Sequence, residues 1–165
     1  MTESVFAQHG DRPKPNSETI LYYVQKNPGS HLRGISKGLG IPLGTLRYHL
    51  TSLEKADKIM SERYGSHRHY FIPGFFKENE RNLLKMLNKK TLRVIISYMI
   101  RQDSPVTLPD IASYTGISHS SAVWYVKGLA NLGMAIESNG GKYKRYQLVK
   151  STEIINLLKI YVSVN

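Results

Sequence analysis

The chain contains no cysteine. A disulfide framework, a thiolate metal site and a catalytic thiol are therefore all excluded. Acidic residues are sparse, with 12 Asp and Glu against 23 Lys and Arg, for a formal charge of +11 and a pI near 9.8. Long hydrophobic runs are missing as well. The longest, "VIISYMI", is interrupted by a Ser and falls far below the roughly 20 residues that a spanning helix needs. The opening "MTESVFAQHGDRPKPN" has no basic start followed by an apolar segment, so it reads as a flexible arm rather than a secretory signal. Catalytic patterns are lacking too. There is no pair of carboxylates in a cleft-like context, no phosphate-cradling glycine loop after a strand, and no His–Asp–Ser set that one fold would assemble. These absences predict a soluble, cytoplasmic, nucleoid-associated protein that is not an enzyme and carries no cofactor.

What is present is a hydrophobic content of 41%, sufficient for a core, and a large basic surplus. A surplus of that size favours an anionic partner, nucleic acid first and an anionic membrane face second.

The chain also contains itself twice. Displaced by 76 positions, residues 20–72 fall on 96–148 without a gap, and nine positions match: Ile20, Tyr22, Leu32, Ile35, Gly40, Ile41, Leu53, Gly65 and Tyr70. The matches lie on helix stripes, on a helix-ending glycine and on a turn, which is the pattern of a duplicated small domain. A further echo, "NLLK" at Asn82–Lys85 and at Asn156–Lys159, comes at an offset of 74 and suggests that each unit ends in a helix.

Within a unit the order of elements is readable. A first helix spans about Glu18 to Lys26, capped by Ser17 or Asn16 and stopped by Asn27–Gly29. A second spans about His31 to Gly38, and in the second copy Thr107 with Asp110 has the form of a capping box. Gly40 and Gly116 suit the turns that follow. The third helix is "LGTLRYHLTSLEK", residues 43–55, with its counterpart at about His119–Asn131. Two strands complete the unit, Ile59–Tyr64 and His67–Ile72 around Gly65-Ser66. In the second copy the hairpin signal is Asn139-Gly140-Gly141. Three helices and a two-stranded ribbon make a winged helix-turn-helix. The expected fold is thus mainly α with small β-wings, as two tandem winged helix-turn-helix domains joined and followed by helices. The boundaries are an arm at 1–16, domain one at 17–73, a connecting helix at 74–90, domain two at 91–149 and a C-terminal helix at 150–165.

The stretch "HLRGISKGLGIPLGTLRYHLTSLEKADKI" resembles the core of archaeal transcription regulators with two tandem winged helix-turn-helix domains, and more distantly arsenic-repressor-type regulators. The resemblance is stronger over about Ser17–Phe71 than over Leu92–Val149, and "TLRYHL" is its most specific part. It implies sequence-specific binding of double-stranded DNA and control of transcription.

On the third helix, Leu46, Leu50 and Leu53 form one apolar stripe with His49 on its shoulder. The opposite face carries Gly44, Arg47, Tyr48, Thr51 and Lys55. A guanidinium able to grip guanine bidentately, a hydroxyl, an aromatic ring and a trailing cation are what a helix in the major groove needs. Leu43, Gly44, Thr45, Arg47, Tyr48 and Thr51 are the expected base contacts. In the second copy Ala122, Val126 and Leu129 form the stripe, and Ser120, Val123, Trp124, Lys127 and Asn131 face outward. With one cation and two bulky apolar groups, that face is expected to pack on something or to grip DNA by shape.

The wings read "ERYGSHRHYF" and "NGGKYKRYQL". Arg63, His67, Arg68, Lys142, Lys144 and Arg145, with Arg33, Lys37, Lys55 and Lys127 on the helices, are the expected phosphate contacts, which position a protein without reading sequence. Tyr70 and Tyr146 read as packing residues. His67 and His69 share one side of a strand, but an intervening Arg and the lack of an acidic or thiol partner argue against a metal, leaving them to surface or DNA contacts. No small-molecule pocket is legible. Leu83, Leu84 and Leu87 mark the connecting helix, and Ile154, Ile155, Leu157, Leu158 and Tyr161 make the last helix apolar. Such helices pack across the two units or against a second chain. The expected interaction surface is Trp124, Ile154, Leu157, Leu158 and Tyr161, with a homodimer through the last helix. The rival readings are an architectural, weakly specific DNA binder and a winged-helix module for protein–protein contacts in a transcription assembly.

Overall fold

The computed structural model describes residues 17–149 and 152–162, with only the backbone at 153, 154, 161 and 162. The expected arm and cap residues Asn16 and Ser151 lie outside that range. The elements are α1 (Ser17–Lys26), β1 (Ser30–His31), α2 (Leu32–Leu39), α3 (Leu43–Lys55), β2 (Met60–Tyr64), β3 (His67–Phe71), α4 (Glu78–Leu87), α5 (Lys90–Arg101), β4 (Val106–Thr107), α6 (Leu108–Thr115), α7 (His119–Asn131), β5 (Ala135–Gly140), β6 (Tyr143–Leu148) and α8 (Thr152–Val162). The order helix, short strand, helix, helix, hairpin, helix thus occurs twice. Shifting β1, α2 and α3 by 76 positions lands them on β4, α6 and α7 with identical bounds. Mixed helices and two small antiparallel sheets are compatible with a winged helix-turn-helix.

Local chemistry accounts for the helix boundaries. α6 opens on the anticipated capping box, in which the Thr107 hydroxyl accepts the Asp110 N–H and the Asp110 carboxylate accepts the Thr107 N–H. α2 opens on an unforeseen cap, the imidazole Nδ1 of His31, which accepts the Gly34 N–H at 3.0 Å. Both helices close on a glycine in the left-handed region, Gly40 at φ 66° and Gly116 at φ 70°, where a side chain would be strained. Those tight exits turn α3 and α7 onto the helices that precede them.

Each sheet has three strands, in the orders β1-β3-β2 and β4-β6-β5. In the first hairpin Tyr64 pairs with His67, so Gly65-Ser66 is the turn as expected. In the second, Gly140 pairs with Tyr143, which moves the turn to Gly141-Lys142, one residue beyond the Asn139–Gly141 expectation. Asn139 is instead a paired strand residue opposite Lys144.

Two cores form. One joins Ile20, Val24, Ile35, Ile41, Leu46, Leu50, Leu53, Ile59 and Tyr70. The other gathers α4, α5, α6, α7 and α8 side chains around Ile95, Ile111, Val126 and Tyr146, and it takes in Phe71 from the first sheet. The connecting helix therefore belongs to the second core while its outer side grips the first sheet. β6 alternates exposed and buried residues near its end, as a sheet with one wet face does. β3 instead ends in three successive buried residues, His69, Tyr70 and Phe71. Both faces of that strand are covered, Tyr70 by the first core and Phe71 by the second. Polar links reinforce this seam. Glu62 accepts hydrogen bonds from Arg81 Nε and Lys85 Nζ, both at 2.6 Å, and Asn88 Nδ2 donates to the Gly29 carbonyl at 2.6 Å.

Candidate nucleic-acid interface

α3 is amphipathic as its spacing predicts. Leu46, Leu50 and Leu53 are buried, and Leu43, Gly44, Thr45, Arg47, Tyr48, Thr51 and Lys55 are all exposed. Tyr48 is 75% exposed, too open for a packing role. His49 is half-buried on the shoulder, with its Nδ1 3.0 Å from the Ser17 hydroxyl.

The hairpin β2–β3 stands beside this face, and between them lies a cleft of about 720 Å³. Four guanidiniums line it, those of Arg33, Arg47, Arg63 and Arg68, together with Thr51 and His67. One carboxylate is present, Glu54. It accepts from the Ser61 hydroxyl at 2.5 Å and lies 3.4 Å from Arg68, so it orients that arginine and offsets one charge of the four. A surplus of positive charge in a concave, solvent-filled site focuses an anion there. The structure thus brings the expected residues Arg33, Arg47, Thr51, Arg63, His67 and Arg68 around one cleft. Lys37 and Lys55 are exposed outside it.

The second half is arranged differently. Ala122, Val126 and Leu129 are buried, and Ser120, Trp124, Lys127 and Asn131 are exposed, but Val123 is half-buried rather than left in water. The outward face of α7 borders a groove whose opposite wall is Tyr64, Asn82 and Met86, from the first hairpin and α4. Gly128 shows how close α4 comes, since a Cβ there would lie 2.8 Å from the Met86 Cε. On the second hairpin the cations are exposed but engaged within the protein. Lys144 is bonded to Glu137, Arg145 donates to the Pro105 carbonyl at 3.2 Å, and Lys142 lies 5.4 Å over the Tyr143 ring. The hydrogen bond from Lys144 and, after it, that from Tyr146 hold the Glu137 carboxyl below its ordinary value. Tyr70 and Tyr146 are buried packing residues.

Three expectations need correction. His69 is not a surface group, since it is 3% exposed with its Nδ1 2.6 Å from the Gly29 carbonyl. Leu157 and Leu158 do not face a partner, because both are buried in the chain's own second core, leaving Ile155 as the exposed large apolar side chain among the described residues of α8. The side chains of Ile154 and Tyr161 lie outside the described residues. Finally, a pocket of about 350 Å³ exists where none was legible, between the first hairpin, α4 and α7. Sequence reasoning also missed Lys85, 5% exposed and paired with Glu62. The only hint was a lysine in a row of apolar residues on α4. Among the described residues no group of three or more His, Asp or Glu is arranged to hold a metal ion. No helix among them is long and apolar enough to cross a membrane.

Residues 15–84 match the model of the HTH_HVO_0163_N family, an N-terminal HTH domain. Over 132 residues, 80% of the chain, it is 33% identical to the uncharacterized HTH-type transcriptional regulator MJ1398 of Methanocaldococcus jannaschii, and it spans about a third, 33%, of that protein's length. A crystal structure of a possible HxlR family transcriptional factor from Thermoplasma volcanium aligns with 64% of this chain and 95% of its own, at 24% identity and a TM-score of 0.42. The chain is thus similar to archaeal HTH-type regulators, and the matched HTH domain is the half that carries α3 and the first hairpin.

Proposed function

We propose that the chain is a regulator of transcription that binds double-stranded DNA through its leading half, as one of two tandem winged helix-turn-helix units. α3 lies in the major groove with Leu43, Gly44, Thr45, Arg47, Tyr48 and Thr51 toward the bases. The β2–β3 wing and α2 hold the flanking phosphates through Arg33, Lys37, Arg63, His67 and Arg68, and Lys55 trails along the backbone. The single observation that carries this reading is the cleft with four arginines between α3 and its hairpin. A duplex presents a regular row of phosphates on either side of a groove wide enough for a helix, and an exposed helix edged by guanidiniums complements both features.

The second half contributes less to base reading. α7 carries one outward cation, Lys127, and its face looks across a groove onto the first hairpin and α4. Lys142, Lys144 and Arg145 add phosphate contacts at most. The role is binding rather than catalysis, since the residues gathered at the cleft are cations and hydroxyls suited to an anion. Dimerisation through the last helix would use Ile155 and its neighbours, because Leu157 and Leu158 serve the chain's own core.

Selection from a random duplex library at near-physiological salt tests the reading. An enriched motif, lost on Arg47→Ala, is the expected result. Tight binding without enrichment would instead favour an architectural role, and no binding would leave a protein-interaction module.

A further inference from the structure

The pocket at the junction of the two halves has a composition of its own. Its walls include His31 at the start of α2, Tyr64, His67 and His69 of the hairpin, Lys89 after α4, and Trp124 of α7. The three imidazoles cluster, with ring centroids 5.0, 5.8 and 6.5 Å apart, and Tyr64 stands edge-on to His69 at 6.0 Å. Lys89 Nζ lies 5.2 Å over the Trp124 ring. Among the described residues no carboxylate lines the pocket. Lys85, which borders it, is held by Glu62 together with Arg81, and Lys89 is the cation set against the aromatic walls. At about 350 Å³ the cavity lies at the lower end of the range for small-molecule sites.

We infer that this junction is a binding site for a small planar aromatic anion, such as a benzoate-type carboxylate, that acts as an effector. The rings of Trp124, Tyr64 and the imidazoles line it with flat walls, while Lys89 supplies the counter-charge and His31 a neutral hydrogen-bond donor. The tautomer of His31 suits that assignment. His69 Nδ1 faces the Gly29 carbonyl and is the donor there, and His31 Nδ1 is occupied as an acceptor by the Gly34 N–H. His31 therefore carries its proton on Nε2, which makes that atom a donor suited to a carboxylate and unsuited to a metal.

The site is wired to the proposed DNA interface. Ser66 and His67 line both this pocket and the arginine cleft, so they form a shared wall at the tip of the hairpin. A molecule seated against Trp124 bears on the same residues that bound the cleft, and it bridges α7 to the first wing. Its effect on DNA rests on the reading given above, whereas the binding itself does not.

Trp124 is the chain's one tryptophan. It lines both this pocket and the neighbouring groove of α7, so its emission reports on this junction. The Lys89→Gln variant assigns the response to the pocket, because Lys89 lines the pocket and not the groove. The full chain, without DNA, is titrated with benzoate, with the neutral isostere benzamide and with acetate. A saturable change with benzoate, half-complete below about 1 mM, is expected, with benzamide at least tenfold weaker and acetate without effect. Lys89→Gln should weaken benzoate about tenfold while leaving the thermal midpoint in place. Equal responses to benzoate and benzamide, a linear collisional response, or an unchanged affinity in Lys89→Gln would each overturn the assignment. Repeating the titration with a bound duplex reads the coupling separately. A chain that binds benzoate but not DNA would refute the regulator reading and leave the pocket standing.

Discussion

At the scale of single residues, Glu62 joins the first sheet to α4 by holding two cations at once. Burial pushes its carboxyl up, but the hydrogen bonds and charges of Lys85 and Arg81 outweigh that and hold it below the ordinary carboxylate range. Taking away the anion leaves Lys85 buried without its counter-charge. Glu62→Gln should therefore cost about 2–4 kcal/mol, somewhat below a fully buried pair because Glu62 keeps partial contact with water. Lys85→Met leaves Glu62 to Arg81 and fills the same apolar space, so about 1 kcal/mol or less is expected. Urea unfolding midpoints of the two variants check the order, which would reverse if Lys85 were the indispensable partner. A second effect at this scale concerns acid. Burial lowers the pKa of both His31 and His69, and the neighbouring imidazoles push in the same direction. The folded chain therefore favours the neutral rings, and the unfolded chain binds more protons as the pH falls below the ordinary value of 6.5. Stability should be fully present above that value and decline as pH drops through the lowered folded values. Protonated His31 also loses the acceptor that caps α2. Thermal midpoints at successive pH values below 7 test this, and the decline should flatten in a His69→Gln variant.

At the scale of elements, α2 shows how a backbone can be committed to a close approach. A Cβ on Gly38 would lie 2.3 Å from the Tyr23 hydroxyl oxygen, so α1 and α2 meet with the tyrosine ring lying over bare backbone. Gly38→Ala gains helix propensity, about 1 kcal/mol at most, but it forces Tyr23 out of its place against the first core. A net loss of about 1–3 kcal/mol is expected, and Tyr23→Ala in the same background should remove most of the added penalty. A thermal melt of the single and double variants reads the difference. Elements of this kind were the most legible part of the sequence. The leucine stripe of residues 46, 50 and 53, the glycine exits and the Thr107 box each depend on neighbours within one or two turns, which is where sequence spacing speaks directly. The Asn139-Gly140-Gly141 signal locates the second hairpin but not its turn, because the pairing of Gly140 with Tyr143 keeps Asn139 and Gly140 in the strand and leaves Gly141-Lys142 to turn. The exposed α3 face was legible from the same stripe. The cleft was legible as a set of cations but not as a cavity, since Arg33 and Arg63 meet Arg47 only through the β1–β3 pairing that closes the sheet. The burial of His69 and the junction pocket were not legible, and Lys85 only as a lysine in an apolar row. Each depends on α4 covering the back of the first sheet, a long-range event that leaves no periodic trace in β3.

At the scale of the whole molecule, the two halves repeat one order of elements but present different outward surfaces. The first unit exposes six cations around α3, namely Arg33, Lys37, Arg47, Lys55, Arg63 and Arg68, whereas α7 turns toward α4 and the first wing. Two consequences separate the halves. If those six side chains each neutralise one phosphate, the logarithm of the association constant should fall against that of salt with a slope of about −5, which is roughly a 10³-fold loss between 50 and 200 mM. A slope near −8 would mean that Lys142, Lys144 and Arg145 of the second hairpin bind phosphates as well. The second consequence concerns discrimination. Arg47→Ala should cut the preference for the selected motif over a scrambled duplex by about 1–3 kcal/mol, while Lys127→Ala should lower affinity for both duplexes alike and leave the preference intact. Competition binding at fixed salt compares the two variants, and equal losses of preference would place base reading in both halves. The geometry behind the difference between the halves lies in α4. It packs on the first sheet and into the second core and so walls the groove beside the outward face of α7. The outward face of α3 is bordered instead by its own hairpin and four arginines.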